Sequence, residues 1–215
     1  MSKLTLNIQE MIAMNKNDYL RYQGLIFDMD GTLIDTMPAH LEAWRQTAEF
    51  FDFPFEREWL HGLGGMPSFK IASELNRRFG LQLVASEVSA FKMDAFVSLK
   101  NHGDIIDVTH RVVKAFLGKK KLAVGTGSQR ESAERLLKNS GLRSCFDVVV
   151  TASDVTQHKP EPETFLRAAE LLELSAQQCA VFEDTELGLQ AAHAAGMDCF
   201  IVEGEELIFY PLPHR

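Results

Sequence analysis

A chain of 215 residues with 46% hydrophobic residues can bury a sizeable core without a partner. Its net charge of -8 and pI near 5.4 exclude the basic face that a nucleic-acid binder needs to release counterions. Cys145, Cys179 and Cys199 are an odd, widely spaced set with no metal-binding spacing, and they read as buried free thiols.

In chain order, residues 1–22 form an N-terminal extension in which Lys3, Glu10, Lys16, Asp18 and Arg21 interrupt any apolar signal segment. No later stretch reaches the roughly 20 apolar residues of a membrane span. These features point to a cytoplasmic protein without membrane contact; separately, a monomer or weak homo-oligomer is expected. Gly24 to Phe27 is a short apolar run that ends in Asp28, Asp30 and Gly31, the pattern of a buried strand with a polar turn at its carboxyl end. Four similar runs follow, at 122–124, 146–150, 180–182 and 200–202. Helical patterns at 131–139, 161–174 and 186–195 lie between them, closed by Gly141 and Gly196 or opened by prolines.

This alternation predicts an α/β fold with a Rossmann-like parallel sheet whose ligands gather at the carboxyl ends of the strands. Residues 37–103 break the rhythm, with amphipathic spacing at Leu41, Trp44, Ala48 and Phe51 and no convincing strand. They read as an inserted helical cap above a core formed by 23–36 and 104–215, placed to exclude water and select substrate.

The strand ends carry the chemistry. Asp28 and Asp30 offer one carboxylate for attack on phosphorus and another for proton exchange, although an isolated D-x-D-G is as often a plain acidic turn. Thr126 and Gly127 follow the second strand, Lys159 follows the third, and Glu183 and Asp184 follow the fourth. A hydroxyl and an ammonium suit phosphoryl oxygens, and extra carboxylates suit an oxygen-rich magnesium site. Each alone has an ordinary structural explanation, and their joint order does not.

These segments, Asp28-Met29-Asp30-Gly31-Thr32, Thr126-Gly127-Ser128, Lys159-Pro160 and Glu183-Asp184-Thr185, resemble the four motifs of the haloacid dehalogenase superfamily. The likeness covers nearly everything after Tyr22. It implies Asp28 as nucleophile, Asp30 as general acid and base, Thr126, Gly127 and Lys159 as phosphate ligands, and Mg2+ held by Asp28, the Asp30 carbonyl and Asp184, with Glu183 assisting. His40 and Trp44 stand at the spacing of the β-phosphoglucomutase-like branch, which includes bacterial fructose-1-phosphate phosphatases. His40 then becomes a proton relay and cap contact; without the resemblance, both residues read as structural.

In that branch, sugar-phosphate mutases place a phosphate-gripping arginine where this chain has Gly65. Loss of that clamp favours hydrolysis of a small phosphorylated metabolite over mutase activity, with Arg57, Lys70 or Arg77 as substitutes from nearby turns. His61, Met66, Ser68 and Lys70 are candidate substrate contacts. Two other classes compete. A receiver-like phosphoacceptor module would share the aspartate, threonine and lysine but needs neither Asp30 nor a cap. A Rossmann dehydrogenase would use Gly125-Thr126-Gly127 and Asp147, but Arg130 occupies the third glycine position.

Overall fold

The computed structural model describes residues 20–213, and most of the 1–22 extension therefore lies outside the described residues. A six-stranded sheet runs in the order β3-β2-β1-β4-β5-β6, formed by β1 (Gly24–Phe27), β2 (Lys121–Gly125), β3 (Val148–Val150), β4 (Cys179–Glu183), β5 (Asp198–Glu203) and β6 (Glu206–Tyr210). The first five strands are parallel, and β6 pairs antiparallel with β5. Every residue of β1 is buried, as an apolar run covered on both faces requires. β1 lies between β2 and β4, in register from Gly24 beside Lys121 and Cys179, so three reactive strand ends converge.

One face packs Leu25, Phe27, Leu122 and Val124 against α5 (Asp107–Phe116) and α6 (Arg130–Asn139). The other packs Ile26, Ala123 and Val181 against α7 (Glu163–Leu171) and α8 (Glu186–Ala194). Each large apolar side chain fully buried in these layers contributes about 1.5–3 kcal/mol. Tyr22, counted with the extension in the sequence, is buried here, its ring edge against Phe200 and its hydroxyl donating to Asp198. Cys179 and Cys199 are buried free thiols, and Cys145 is half-buried.

Between β1 and α5 lie α1 (Met37–Phe51), α2 (Arg57–His61), α3 (Ser68–Phe79) and α4 (Ala85–Ser98). They share a separate core of Leu41, Trp44, Ala48, Leu60, Ile71, Leu75 and Val88, as the spacing in α1 predicts. The chain enters and leaves this layer side by side, through a bridge between Ile34 and Ile105 and a hydrogen bond from Asp35 N to Asp104 O at 2.9 Å. Gly103 makes the crossing possible, because a Cβ on it would stand 2.0 Å from the Asp35 carbonyl oxygen.

Several elements differ from the sequence reading. The expected helix at 161–174 shortens to α7, because Pro162 sits at its N-cap and Glu173 adopts a left-handed conformation beyond its end. The expected strand at 146–150 keeps only Val148–Val150, since Arg143–Cys145 forms a 3-10 turn just before it. α5 and β6 are elements the sequence reading did not delimit.

Candidate active site

Asp28 is the first residue beyond β1, and its amide donates to Phe182 O at 2.9 Å, which keeps it tied to β4. Its carboxylate accepts from Lys159 Nζ at 2.5 Å, and the same ammonium donates to Glu183 Oε1 at 2.6 Å. Lys159 considered alone reads as a surface lysine. Here its side chain is fully buried, as is that of Glu183. Burial works against the Lys159 charge, but Asp28 and Glu183 outweigh it and hold the ammonium above its ordinary range.

Glu183, expected to assist the metal, holds Lys159 and the turn after β4. Its Oε1 serves Lys159, while its Oε2 accepts from the amides of Asp184 and Thr185 and from the Thr185 hydroxyl. The carboxylate fits only because residue 188 is glycine, as a Cβ there would lie 1.9 Å from Glu183 Cδ. Glu183 is built as the anchor of Lys159.

Asp184 turns toward the chain after Asp30, where Thr32 Oγ1 donates to its Oδ1 at 3.1 Å. Gly31 is required at that approach: its φ is +87°, and a Cβ would stand 2.1 Å from Asp184 Oδ2. Burial raises the pKa of Asp28 to about 8, with Lys159 opposing and Glu183 and Asp30 adding to the rise. Burial, with the charges of Glu183 and Asp28, also raises Asp184 well above the carboxylate range. This excess of buried negative charge on hard oxygen donors fits a small divalent cation such as magnesium. Among the described residues no three acidic, imidazole or thiol side chains form a ready-made shell. Mg2+ does not need one, since it keeps several waters and takes one or two carboxylates with substrate phosphate.

Asp30 sits in a different environment. Its Oδ1 accepts from Thr36 Oγ1 at 2.7 Å and faces His40 Nε2 at 3.2 Å; its Oδ2 accepts from Ser128 Oγ at 2.7 Å and Thr126 Oγ1 at 3.2 Å. Burial pushes its pKa up, but the bonds from His40, Thr36 and Ser128 win and hold Asp30 below its ordinary range. The two partners imply different charges for His40: the low pKa of Asp30 draws in part on an imidazolium, whereas burial and Lys92 lower the pKa of His40 itself. The geometry favours a neutral ring. Lys92 Nζ, 2.7 Å away, donates to His40 Nδ1, and Nε2–H donates to Asp30.

Lys92 comes from α4 of the helical layer, is 3% exposed, and lies 5.1 Å from the centre of the Phe96 ring. Burial lowers its pKa to about 8. The His40 ring stacks on the same phenylalanine, with centroids 4.2 Å apart.

A cavity between sheet and helical layer is lined by Asp28, Asp30, His40, Trp44, Gly65, Lys92, Thr126, Gly127 and Ser128, with Met66, Ser68, Ser89, Met93 and Gln129 among the other walls. The loop before α3 closes over it. A Cβ on Gly127 would stand 2.2 Å from Gly65 O, and one on Gly65 would stand 3.5 Å from Thr185 Oγ1 and 3.8 Å from Lys159 Cδ. Gly65 has a φ of +80°, a left-handed conformation that disfavours any side chain.

The structure brings together Asp28, Asp30, Thr126, Gly127, Lys159, Glu183, Asp184, His40 and Gly65. Met66 and Ser68 line the cavity; Arg57, His61, Lys70 and Arg77 do not. Arg77 pairs instead with Glu74 on α3. Thr36 and Lys92 escape the sequence reading, because single polar residues in helices or turns carry no periodic signal, and Ser128, part of the second motif, is given its role on Asp30 only by the structure. Asp147, the proposed ribose ligand of a dehydrogenase, binds Leu122 N at 2.8 Å near the start of β2, at the opposite end of that strand from Gly125.

A parallel sheet with paired aspartates beyond its central strand, a buried lysine and a helical cover defines a capped α/β hydrolase. The chain belongs to the haloacid dehalogenase-like hydrolases, whose family model matches residues 25–202. Fructose-1-phosphate phosphatase YqaB of Escherichia coli is 41% identical over 184 residues, covering 84% of this chain and 96% of that protein. A phosphorylated carbohydrates phosphatase of Thermotoga maritima is 32% identical over 180 residues, 82% of each chain. The solved β-phosphoglucomutase of Clostridium difficile shares the fold, with a TM-score of 0.75 at 23% identity over 83% of each chain. Among the described residues no helix is long and apolar enough to cross a membrane.

Proposed function

We propose that this phosphomonoesterase hydrolyses a small sugar phosphate through an aspartyl-phosphate on Asp28, with Mg2+ as cofactor, in the cytoplasm. The observation that carries the reading is Asp28 held by a fully buried Lys159, with the proton-exchanging Asp30 two residues away. Lys159 offsets the repulsion between Asp28 and an incoming phosphate, and Thr126 and the Gly127 turn receive its oxygens. Asp28 and Asp184, with the Asp30 carbonyl, would hold the metal, which supplies further charge neutralisation at the transferring group.

Asp28 attacks phosphorus as the sugar oxygen leaves with a proton from Asp30. Asp30 is ionised in this geometry, so its proton comes along the line Lys92 to His40 Nδ1 and from His40 Nε2–H to Asp30 Oδ1. Asp30 then takes a proton from the water that attacks the phosphorylated Asp28, and the line resets. The residues 37–103 act as the cap over a core of 23–36 and 104–215.

Hydrolysis is favoured over a mutase cycle because, among the described residues, no arginine lines the cavity to hold another phosphate, and Lys92 in its wall is engaged with His40. Asp30 and the cap argue against a phosphoacceptor module. The test is phosphate release across a panel of sugar phosphates that includes fructose 1-phosphate, beside a β-glucose 1-phosphate mutase assay. Wild type should release phosphate and Asp28→Asn should not. Wild-type turnover by Asp28→Asn would sink the reading, and isomerised sugar phosphate without free phosphate would favour the mutase.

A further inference from the structure

Outside the cavity, a second contact joins the helical layer to the core. Phe69, in the first turn of α3, is 38% exposed, yet its ring meets the His158 ring edge-on with centroids 5.7 Å apart. His158 is 7% exposed and immediately precedes Lys159. Its Nδ1 is buried with no hydrogen-bond partner. A buried, unpaired imidazole nitrogen is unfavourable relative to one in water, so this arrangement persists only where ring packing offsets it. Burial, with Lys70 of α3 nearby and Glu163 of α7 opposing, lowers the His158 pKa, so a neutral ring faces Phe69.

Resting on the function proposed above, we infer that Phe69 and His158 form a closure latch. Seating of the cap loop on the core presses Phe69 against His158 and thereby fixes the adjacent Lys159 on Asp28. His158 is a positioning residue and touches no substrate. The loop that carries Gly64 and Gly65 leads directly into α3 and Phe69, and a Cβ on Gly65 would stand 3.8 Å from Lys159 Cδ, so the loop meets the core at Lys159 and the latch meets it at the adjacent His158. Lys159 bridges Asp28 and Glu183 at 2.5 and 2.6 Å, so a displacement of His158 reaches that bridge through the one peptide unit between the two residues.

The test is a double-mutant cycle on the full chain with Phe69→Ala and His158→Ala, read by steady-state kinetics and by amide exchange of residues 62–67 and 103–106. An edge-to-face pair supports roughly a tenfold effect. Each single variant should lose about tenfold in kcat/KM, carried mainly in kcat, and the double variant should lose no more than either. Exchange in both segments should quicken. His158→Phe, which keeps the ring and removes the unpaired nitrogen, should retain wild-type kinetics and protection.

Additive losses near a hundredfold, or unchanged exchange in Phe69→Ala, would overturn the latch. If wild type releases no phosphate from any substrate, the proposed function fails while exchange still judges the latch. An active wild type with unresponsive exchange removes the latch alone. Phe69→Ala alters a partly exposed side chain, so its melting temperature serves as the folding control.

Discussion

Lys159 illustrates how much a single buried charge can organise. It bridges Asp28 and Glu183, and removing one member of such a buried set strands the others without compensation. Lys159→Met should therefore cost about 3–5 kcal/mol of stability, read as a lower urea midpoint, and should abolish phosphate release as well. A midpoint equal to wild type would show that Asp28 and Glu183 do not depend on the lysine. The residues at strand ends were legible in the sequence because strand, turn and acidic residue recur together. Lys92 was not, because it stands 52 positions from His40 and becomes a partner only when α1 and α4 pack. Glu183 was legible as an acidic group but not as the anchor of Lys159, since that depends on the space left by Gly188.

At the level of elements, the loop after β2 and the loop before α3 touch main chain to main chain. Gly127→Ala places a methyl 2.2 Å from Gly65 O, so the cap loop must lift while the sheet beneath is left intact. The expected result is a loss of about tenfold or more in kcat/KM with a melting temperature near wild type, because positioning errors of about an ångström weigh heavily on rate. Wild-type kinetics would mean that the loop yields freely. Gly65→Arg should not create a mutase, since an arginine at a φ of +80° is strained before it reaches any phosphate; a mutase assay on that variant checks this.

The parallel strands were readable as apolar runs because both of their faces are covered. β6 was missed for the opposite reason: its residues are only partly covered, and acidic residues on both sides of Gly204 hide the hairpin. α5 was not delimited because it follows directly on the return linker, where no apolar strand marks its start.

For the whole molecule, the buried acidic centre sets a pH dependence. Asp28 and Asp184 have folded pKa values raised above the unfolded carboxylate value of about 3.9, so the folded state binds more protons than the unfolded state as pH rises from there toward 8. Their contribution therefore becomes increasingly unfavourable over that window. Asp30, held low, contributes stability that is already complete above pH 5 and is lost only in stronger acid. Relative to excess chelator, Mg2+ should raise the melting temperature more at pH 8 than at pH 5. An equal Mg2+ shift at both values would argue against Asp28 and Asp184 as ligands.

The crossing of the two linkers at Ile34, Asp35, Asp104 and Ile105 has a consequence for the history of such a chain. Because entry and exit of the helical layer are neighbours, exchanging everything between them leaves the ends of the sheet at the same separation. The sheet and its strand ends can thus be inherited unchanged while the helices above them are replaced, and, on the function proposed above, a graft between residues 36 and 103 is the natural unit for transferring substrate preference from one chain to another.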